Sequence, residues 1–338
     1  IKMHDFVLKL AFDDKTDRNM GEWSNSANIN KSRKIMIQWY PGHMHKANKE
    51  FKKILPQVDI VIEVLDARIP FSSQNPMLAS IRKYKPTIKI LNKSDLSDQH
   101  LLALWQTELE KDDTVKTLTC NNLGTAYDKI RGLCRSLIPE RNNRSSMVYA
   151  MIAGIPNVGK STIINSLAGR AIAKTGNEAA VTKMQQRIEI SPHLTLIDTP
   201  GVLWPNIENK NSGYRLAATG AIKDTAIDLQ DIACFVAEFM LEKYPSNIQS
   251  RYGLEQLPKT EIELLEAIAL KRGCIVSGGV VDFEKVSRIV VSDLRSGGFD
   301  GICMETPDQI LEELSQLEAL RALKLEKAQA KKSKRKSR

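Results

Sequence analysis

The sequence predicts an α/β fold in which a mostly parallel sheet is covered by helices on both faces and is followed by a smaller helical region. Short apolar runs that end in polar residues alternate with helical segments before about residue 211, which is typical of buried parallel strands. Beyond that point the apolar residues follow helical spacing. With 338 residues, 42% of them apolar, the chain is long enough for a main domain and a second module.

Several short runs are candidates for the strands of this sheet. IVIEVL leads to Asp66, and the run at Ile90 continues into LNKSD. MVYAMIA begins at Met147, LTLID ends at Asp198, and a weaker candidate covers Val115–Leu118. Because the carboxyl ends of parallel strands meet at one edge of a sheet, the polar residues after these runs should lie close together.

Positive charge is concentrated at the end of the chain. Between Arg321 and Arg338 nine Lys or Arg residues face a single acid, Glu326, so this segment carries +8 of the formal net charge of +9. Such a run is typical of a phosphate-binding tail, and we favour nucleic acid as its partner over a merely solubilising role. The first 34 residues are polar and contain several acids, unlike a mitochondrial targeting segment, and are expected to form a disordered extension.

Cysteine spacing and hydropathy argue against several classes of protein. The five cysteines are scattered and never form CxxC, which argues against a disulfide framework and a zinc site and favours a reducing compartment. No apolar run approaches the roughly 20 residues that span a bilayer, so no membrane-spanning segment is expected.

The segment GIPNVGKS, from Gly154 to Ser161, matches the phosphate-binding pattern GxxxxGKS. A predicted strand precedes it and the helical stretch STIINSLAG follows it, as phosphate binding at a helix N-terminus requires. Lys160 is expected to bridge the β- and γ-phosphates, and the Ser161 hydroxyl to bind Mg²⁺. The residues expected to contact the nucleotide here are Gly154, Asn157, Val158, Gly159, Lys160, Ser161 and Thr162.

DTPG, from Asp198 to Gly201, follows a predicted strand and completes the phosphate pocket. Asp198 is expected to hold Mg²⁺, directly or through water, and the Gly201 N–H to reach the γ-phosphate. A glutamine often follows this motif and orients the attacking water, whereas Val202 has no group for that task. Another residue must therefore position the water.

NKSD, from Asn92 to Asp95, is the candidate base-specificity element. A carboxylate at Asp95 can accept hydrogen bonds from guanine N1–H and the exocyclic amine, which adenine does not present in that arrangement. Asn92 and Lys93 are expected to support the loop and flank the base. We favour guanine recognition over a simple turn before a helix. A second base-contacting loop is expected at Thr119, Cys120 and Asn121.

The order of these motifs is unusual, because NKSD precedes the phosphate loop, whereas it follows that loop in ordinary small GTPases. Strand ends that are adjacent in space can form one pocket even when the chain is cut and rejoined elsewhere. The sequence therefore predicts a circularly permuted P-loop GTPase domain at residues 35–210, after the extension at 1–34. A helical domain at 211–305 follows, and then a helix with the basic tail at 306–338, which Thr306, Pro307 and Gln309 should start as N-cap, first-turn proline and capping-box partner.

Eight segments resemble a known family. They are WYPGHMHKA at Trp39, DARIPFSSQNP at Asp66, LNKSDL at Leu91, GIPNVGKSTIINSL at Gly154, IAKTG at Ile172, LIDTPGVLWP at Leu196, GAIKD at Gly220 and KRGCIVSGG at Lys271. The chain is similar, from about Ile35 to Pro307, to the bacterial ribosome biogenesis GTPase A family, also called RbgA or YlqF, and its mitochondrial relatives. The resemblance implies hydrolysis of GTP to GDP during late assembly of the large ribosomal subunit, with a C-terminal domain that contacts ribosomal RNA.

The resemblance also implies roles for single residues. Thr182 matches the switch threonine that closes on Mg²⁺ and the γ-phosphate, although Ala179 and Ala180 replace the usual Pro-Gly before it. Asn157 matches the ligand of K⁺ in potassium-stimulated GTPases, with bracing of the turn as the alternative. His43 matches the proposed catalytic histidine in what we interpret as a loop opening, with packing inside that loop as the alternative. The expected catalytic residues are thus His43, Lys160, Thr182 and Gly201, and the expected Mg²⁺ ligands are Ser161, Thr182 and Asp198.

Partners and location follow from the same resemblance. GTP or GDP and the large-subunit precursor with its rRNA are the expected partners, and the protein is expected to be monomeric off the ribosome. A cytoplasmic location is expected, with the mitochondrial matrix as the alternative. The rival functions are a GTP-dependent RNA-associated regulator that does not act on the ribosome, a P-loop nucleotide kinase, and an RNA-binding protein with an inactive nucleotide site.

Overall fold

A six-stranded sheet forms the centre of the protein in the computed structural model, which describes residues 37–120, 126–139, 147–173 and 186–336. The strand order is β3-β2-β1-β4-β6-β5. The strands are β1 (Ile60–Asp66), β2 (Thr87–Asn92), β3 (Val115–Cys120), β4 (Val148–Gly154), β5 (Gln186–Ser191) and β6 (Leu194–Asp198).

The sheet is parallel except at one edge, where β5 pairs antiparallel with β6. Every residue of β1 is buried, so both faces of the sheet are covered at its centre. The predicted fold class and the five predicted strands are confirmed. β5 was not predicted, because only Ile188 of this edge strand is buried and its sequence lacks the apolar run of a central strand.

Within the described ranges, five α-helices lie between or directly before the strands. They are α1 (Gly42–Ile54), α2 (Pro76–Arg82), α3 (Gln99–Leu109), α4 (Ala126–Leu137) and α5 (Lys160–Ala168). α1 buries Met44, Ala47, Phe51 and Ile54, which recur at the spacing of one helical face. The interpretation of PGHM as a loop opening was wrong for His43, since α1 begins at Gly42 and places His43 in its first turn.

The helical region follows the sheet as predicted. It contains α6 (Lys210–Ala218), α7 (Leu229–Lys243), α8 (Pro245–Tyr252), α9 (Glu261–Arg272) and α10 (Phe283–Ser296). α7 lies among the other four helices and contacts each of them. A capping box starts α9: Thr260 Oγ1 accepts the Glu263 N–H at 3.3 Å, and the Glu263 carboxylate accepts the Thr260 N–H at 3.3 Å.

The last helix, α11 (Pro307–Lys336), begins where the sequence predicts, and Thr306 Oγ1 accepts the Gln309 N–H at 3.1 Å. The helix continues through most of the basic segment, so that segment extends α11 as far as Lys336. Ile310 and Leu314 pack in one buried cluster with Trp105 of α3. α11 therefore packs against the sheet domain. No helix within the described ranges is both long and apolar enough to cross a membrane.

Candidate nucleotide-binding site

The carboxyl ends of the central strands lie side by side and bring the predicted motifs to one edge. Asp66 of β1 is in register with Asn92 of β2, and Asn92 with Cys120 of β3. On the other side of β1, Val64 is in register with Gly154 of β4. Asp198 ends the neighbouring strand β6. The NKSD, GIPNVGKS and DTPG segments therefore lie at the same edge of the sheet.

Two glycines of the phosphate loop are required by close contacts. Gly159 has φ +93°, a conformation that residues with a Cβ rarely adopt, and a Cβ there would overlap Nδ2 of Asn92. A Cβ on Gly154 would lie 2.8 Å from the carbonyl oxygen of Val64. The loop thus lies directly against β1 and the NKSD segment, with Lys160 beginning α5.

Lys160 and Asp198, the predicted phosphate and Mg²⁺ ligands, form a buried ion pair. Burial lowers the pKa of the Lys160 ammonium and raises the pKa of the Asp198 carboxyl, because both charges have lost water, and their mutual attraction only partly offsets this. A hydroxyl at Ser161 and a carboxylate at Asp198 are oxygen donors of the kind that Mg²⁺ prefers, so these residues fit the ion. Binding of a nucleotide with Mg²⁺ would require Lys160 to leave Asp198.

The segment after Asp198 is bonded to the phosphate loop. The Val202 N–H donates to the Gly154 carbonyl at 3.2 Å, and Thr199 Oγ1 donates to the Ile152 carbonyl at 2.7 Å. A Cβ on Gly201 would lie 3.1 Å from Cα of Pro156. Val202 is fully buried, so its side chain does not face an attacking water.

The NKSD segment is bonded to the same loop from the other side. Asn92 Nδ2 donates to the Val158 carbonyl at 2.8 Å, and Lys93 Nζ donates to the Asn157 carbonyl at 3.1 Å. Asp95 lies exposed in the short turn Ser94–Leu96 that follows. The predicted supporting residues therefore hold the loop, and the predicted guanine acceptor faces solvent.

Four predicted site residues have less direct placements or none. The side chain of Cys120 is buried at the end of β3, and burial raises the pKa of its thiol, so a base could reach only its backbone. Asn121 and Thr182 lie outside the described residues. Asn157 Nδ2 donates to the Gly220 carbonyl at 2.7 Å, so this side chain connects the phosphate loop to the segment after α6, and its role as a K⁺ ligand stays a prediction.

His43 is exposed on the first turn of α1, so its ring does not pack into the core. The adjacent Met44 is buried, and its sulfur accepts the Leu203 N–H at 3.4 Å. The N-terminal end of α1 is therefore fixed to the segment that follows Gly201.

An ion cluster of Asp66, Arg68 and Lys93, which the motif analysis missed, lies beside the base loop. Arg68 donates from Nε and Nη2 to the two oxygens of Asp66 at 2.9 and 2.7 Å, and Lys93 Nζ donates to Asp66 at 2.9 Å. Burial alone would raise the pKa of Asp66, but Arg68 and Lys93 hold that pKa well below its usual range. The sequence signal was a carboxylate directly after a buried strand.

The same Arg68 reaches the helical region. Its Nη1 donates to the Leu294 carbonyl at 2.8 Å and to the Arg295 carbonyl at 3.3 Å, both in the last turn of α10. Cations at a helix C-terminus are favourable because the unpaired carbonyls there carry partial negative charge. The ion cluster thus connects the base loop to the end of α10.

A second missed contact set involves Asn75 and Glu305. Asn75 Nδ2 donates to the Val202 carbonyl at 3.3 Å, next to the DTPG motif. The buried Glu305 carboxylate accepts the Phe71 N–H at 2.7 Å and the Ser72 N–H at 3.1 Å. The segment 66–75 therefore touches the base loop, the DTPG segment and the residues before α11.

Comparison with known proteins agrees with this arrangement. The model of a family described as "50S ribosome-binding GTPase" matches residues 149–268. The chain is 40% identical over 293 residues to "Ribosome biogenesis GTPase A" of Bacillus cereus, covering 85% of this chain and 99% of that protein. It is 34% identical over 257 residues to "Mitochondrial ribosome-associated GTPase 1" of Xenopus tropicalis, covering 70% and 81%.

A solved structure extends the similarity to the fold. GDP-bound YlqF of Thermotoga maritima matches 77% of this chain and 99% of its own, with a TM-score of 0.53 and 27% identity. The NKSD segment precedes the phosphate loop in the chain and lies beside it at one edge of the sheet, and a bacterial relative 40% identical is matched along nearly its whole length, so the chain belongs to the ribosome biogenesis GTPase A family of GTP hydrolases.

Proposed function

We propose that this GTPase acts as a switch in late assembly of the large ribosomal subunit and contacts rRNA through its C-terminal helical region. The observation that carries the proposal is the bonding of both the NKSD and DTPG segments to one phosphate loop, beside an arginine that reaches α10. The names of the bacterial relatives support a role in ribosome biogenesis.

In the proposed mechanism the NKSD segment recognises guanine. The exposed Asp95 carboxylate accepts two hydrogen bonds from guanine, while Asn92 and Lys93 hold the loop against the phosphate loop. The backbone of Cys120, at the end of β3, contacts the base, and Asn121 belongs to the same second base-contacting loop.

The phosphates are held by the loop from Gly154 to Thr162. Lys160 moves from Asp198 to the β- and γ-phosphates. Asp198, Ser161 and Thr182 would then be the residues that hold Mg²⁺. Bound Mg²⁺ would neutralise charge on the phosphate oxygens. The Gly201 N–H donates to the γ-phosphate and thereby senses GTP.

The attacking water needs a positioning group, since Val202 is buried. His43 is exposed at the N-terminal end of α1, next to Met44, which contacts Leu203. Leu203 lies two residues after Gly201, the proposed γ-phosphate sensor. We assign His43 the role of orienting the water, with K⁺ on the Asn157 oxygen as a further source of positive charge near the phosphates.

Nucleotide state is passed to the helical region along residues 204–224 in this proposal. The bond from Asn157 of the phosphate loop to the Gly220 carbonyl supports this route, because Gly220 directly follows α6. The bacterial relatives support a cytoplasmic location, and the mitochondrial relative keeps the matrix as the alternative.

The test is GTP hydrolysis with and without large-subunit precursors, in KCl and in NaCl, for the wild type and His43→Ala. The proposal expects stimulation by the precursors, faster turnover in KCl, and loss of most turnover in His43→Ala with GDP binding retained. Loss of roughly 10²- to 10⁴-fold is expected for a general-base or water-positioning residue. Turnover that does not respond to precursors would contradict the ribosomal role, and an unaffected His43→Ala variant would contradict the histidine's role.

A further inference from the structure

The exposed face of α1 carries a stripe of four lysines and one histidine. His45, Lys46, Lys49, Lys52 and Lys53 are all exposed. At about 100° per residue they fall within about 120° of the helix circumference, opposite the buried residues of α1. Glu50, the only acid in α1, is half-buried and falls at the margin of the stripe. We call these five residues the α1 stripe.

The positive charge of the stripe is not neutralised within the described part of the protein. None of its lysines forms an ion pair with a described acidic residue, whereas the exposed Lys111 and the half-buried Lys116 pair with glutamates. Lys46 and Lys53 are about 10 Å apart along the helix axis, with Lys49 between them. A row of lysines that lack a described acidic partner can bind a row of anionic groups that runs along the helix.

The helix that carries the stripe is bonded to the segment that follows Gly201. Besides the bond from Leu203 to Met44 at 3.4 Å, Gln38 exchanges two bonds with Ile207: its Nε2 donates to the Ile207 carbonyl at 3.1 Å and its Oε1 accepts the Ile207 N–H at 3.2 Å. A ligand on the α1 stripe would therefore lie on a helix whose other end contacts the segment after Gly201.

We propose that the α1 stripe is a second RNA-docking surface, on the GTPase domain itself, that holds the phosphate backbone of rRNA independently of the C-terminal helical region and tail. The inference rests on the proposed ribosomal function and deepens it by naming the surface. RNA is the occupant because the stripe presents four lysines and a histidine, with no acidic and no apolar side chain in it to anchor a protein partner. Lysines at phosphates provide position and affinity without base specificity.

The test compares salt-dependent binding of purified large-subunit rRNA by the full-length wild type and by Lys49→Gln/Lys52→Gln/Lys53→Gln. Each lost phosphate contact should reduce the slope of log affinity against log salt by about 0.7 on single strands, so the triple variant should lose about 2 in slope. The charge-conserving triple variant with arginine at the same three positions should keep the wild-type slope. GDP binding without RNA checks that each variant is folded.

A matched control removes the same charge elsewhere: Lys83→Gln/Lys111→Gln/Lys129→Gln changes exposed lysines on or beside α2, α3 and α4. A slope unchanged in the α1 variant, or reduced equally in this control, would overturn the proposal and leave the ribosomal function standing. Loss of binding to precursor particles with unchanged binding to free rRNA would assign the stripe to a protein and also overturn it. If the wild type binds neither rRNA nor precursors, the ribosomal function itself fails.

Discussion

At the scale of single residues, Lys93 determines the geometry of the base loop. Its φ of +59° is uncommon for a residue with a Cβ, and such conformations persist only where surrounding contacts hold them. The bonds to Asp66 and to the Asn157 carbonyl supply that hold. The loop is thus organised by contacts inside the protein, and Asp95 remains exposed for the base.

Asp95→Asn should therefore weaken GDP binding without destabilising the fold. An amide cannot accept from both guanine donors as a carboxylate does, and hydrogen bonds to charged groups contribute about 1.5–3 kcal/mol each, so a loss of at least about tenfold is expected. Calorimetry with GDP and ADP measures the change in preference. Asp113→Asn, which also removes an exposed carboxylate, is the control. Equal GDP preference in both variants would refute guanine reading by Asp95.

Asp66→Asn should destabilise the protein in a pH-dependent manner. The variant leaves Arg68 buried without its anion, which costs about 3–5 kcal/mol for pairs of this kind. Because the pKa of Asp66 is lowered on folding, its stabilisation is present above the unfolded pKa of about 4 and is lost as pH falls below it. Urea denaturation at pH 7 and pH 3 should find the gap between wild type and variant wide at pH 7 and narrower at pH 3. A gap independent of pH would mean that the ion cluster does not stabilise the fold.

At the scale of elements, the local sequence pattern was enough to predict a strand or helix that is buried or has a clear N-cap. The central strands were predicted because their apolar runs are continuous, and α11 because Thr306 and Pro307 mark its start. β5 could not be predicted, since an exposed edge strand with one buried residue has no such run. The start of α1 was also missed, because Pro41-Gly42 is as typical of a turn as of a helix start.

The turn between β4 and α5 can be tested by comparing Gly159, which lies in the turn, with Gly169 at the opposite end of α5. Gly159 and Gly169 both have positive φ, but a Cβ would meet Asn92 at Gly159 and nothing within 4 Å at Gly169. Gly169→Ala should cost about 1–2 kcal/mol of stability with GDP binding retained. Gly159→Ala should also push Asn92 off the loop and weaken GDP binding strongly. Denaturation and GDP titration of both variants measure this, and equal GDP affinities would contradict the observed packing of NKSD on the loop.

At the scale of the whole molecule, the meeting of the sequence motifs at one edge of the sheet was predictable, and the connections beyond that edge were not. The phosphate and base motifs obey fixed chemistry over a few residues, so their sequence suffices. By contrast, Glu305 binds the backbone of Phe71 and Ser72 across more than 230 positions, and Arg68 reaches Leu294 across 226. Only the folded chain brings these residues together, because no local pattern in either segment specifies the other.

Arg68→Lys should uncouple the nucleotide site from the helical region. Lysine keeps a positive charge near Asp66, but its single ammonium lacks the planar fork with which arginine binds Asp66 and the α10 carbonyls together. If this residue carries coupling, the wild type should bind precursors with affinities that differ between a non-hydrolysable GTP analogue and GDP by roughly 5- to 150-fold, and the variant should lose most of that difference. Arg82→Lys is the matched control, because it alters another buried Arg–Asp pair, with Asp112, away from the nucleotide edge. Both changes weaken an ion pair, so equal losses of the difference in affinity would trace the effect to general destabilisation. A loss confined to Arg68→Lys would assign the coupling to the contact between Arg68 and α10.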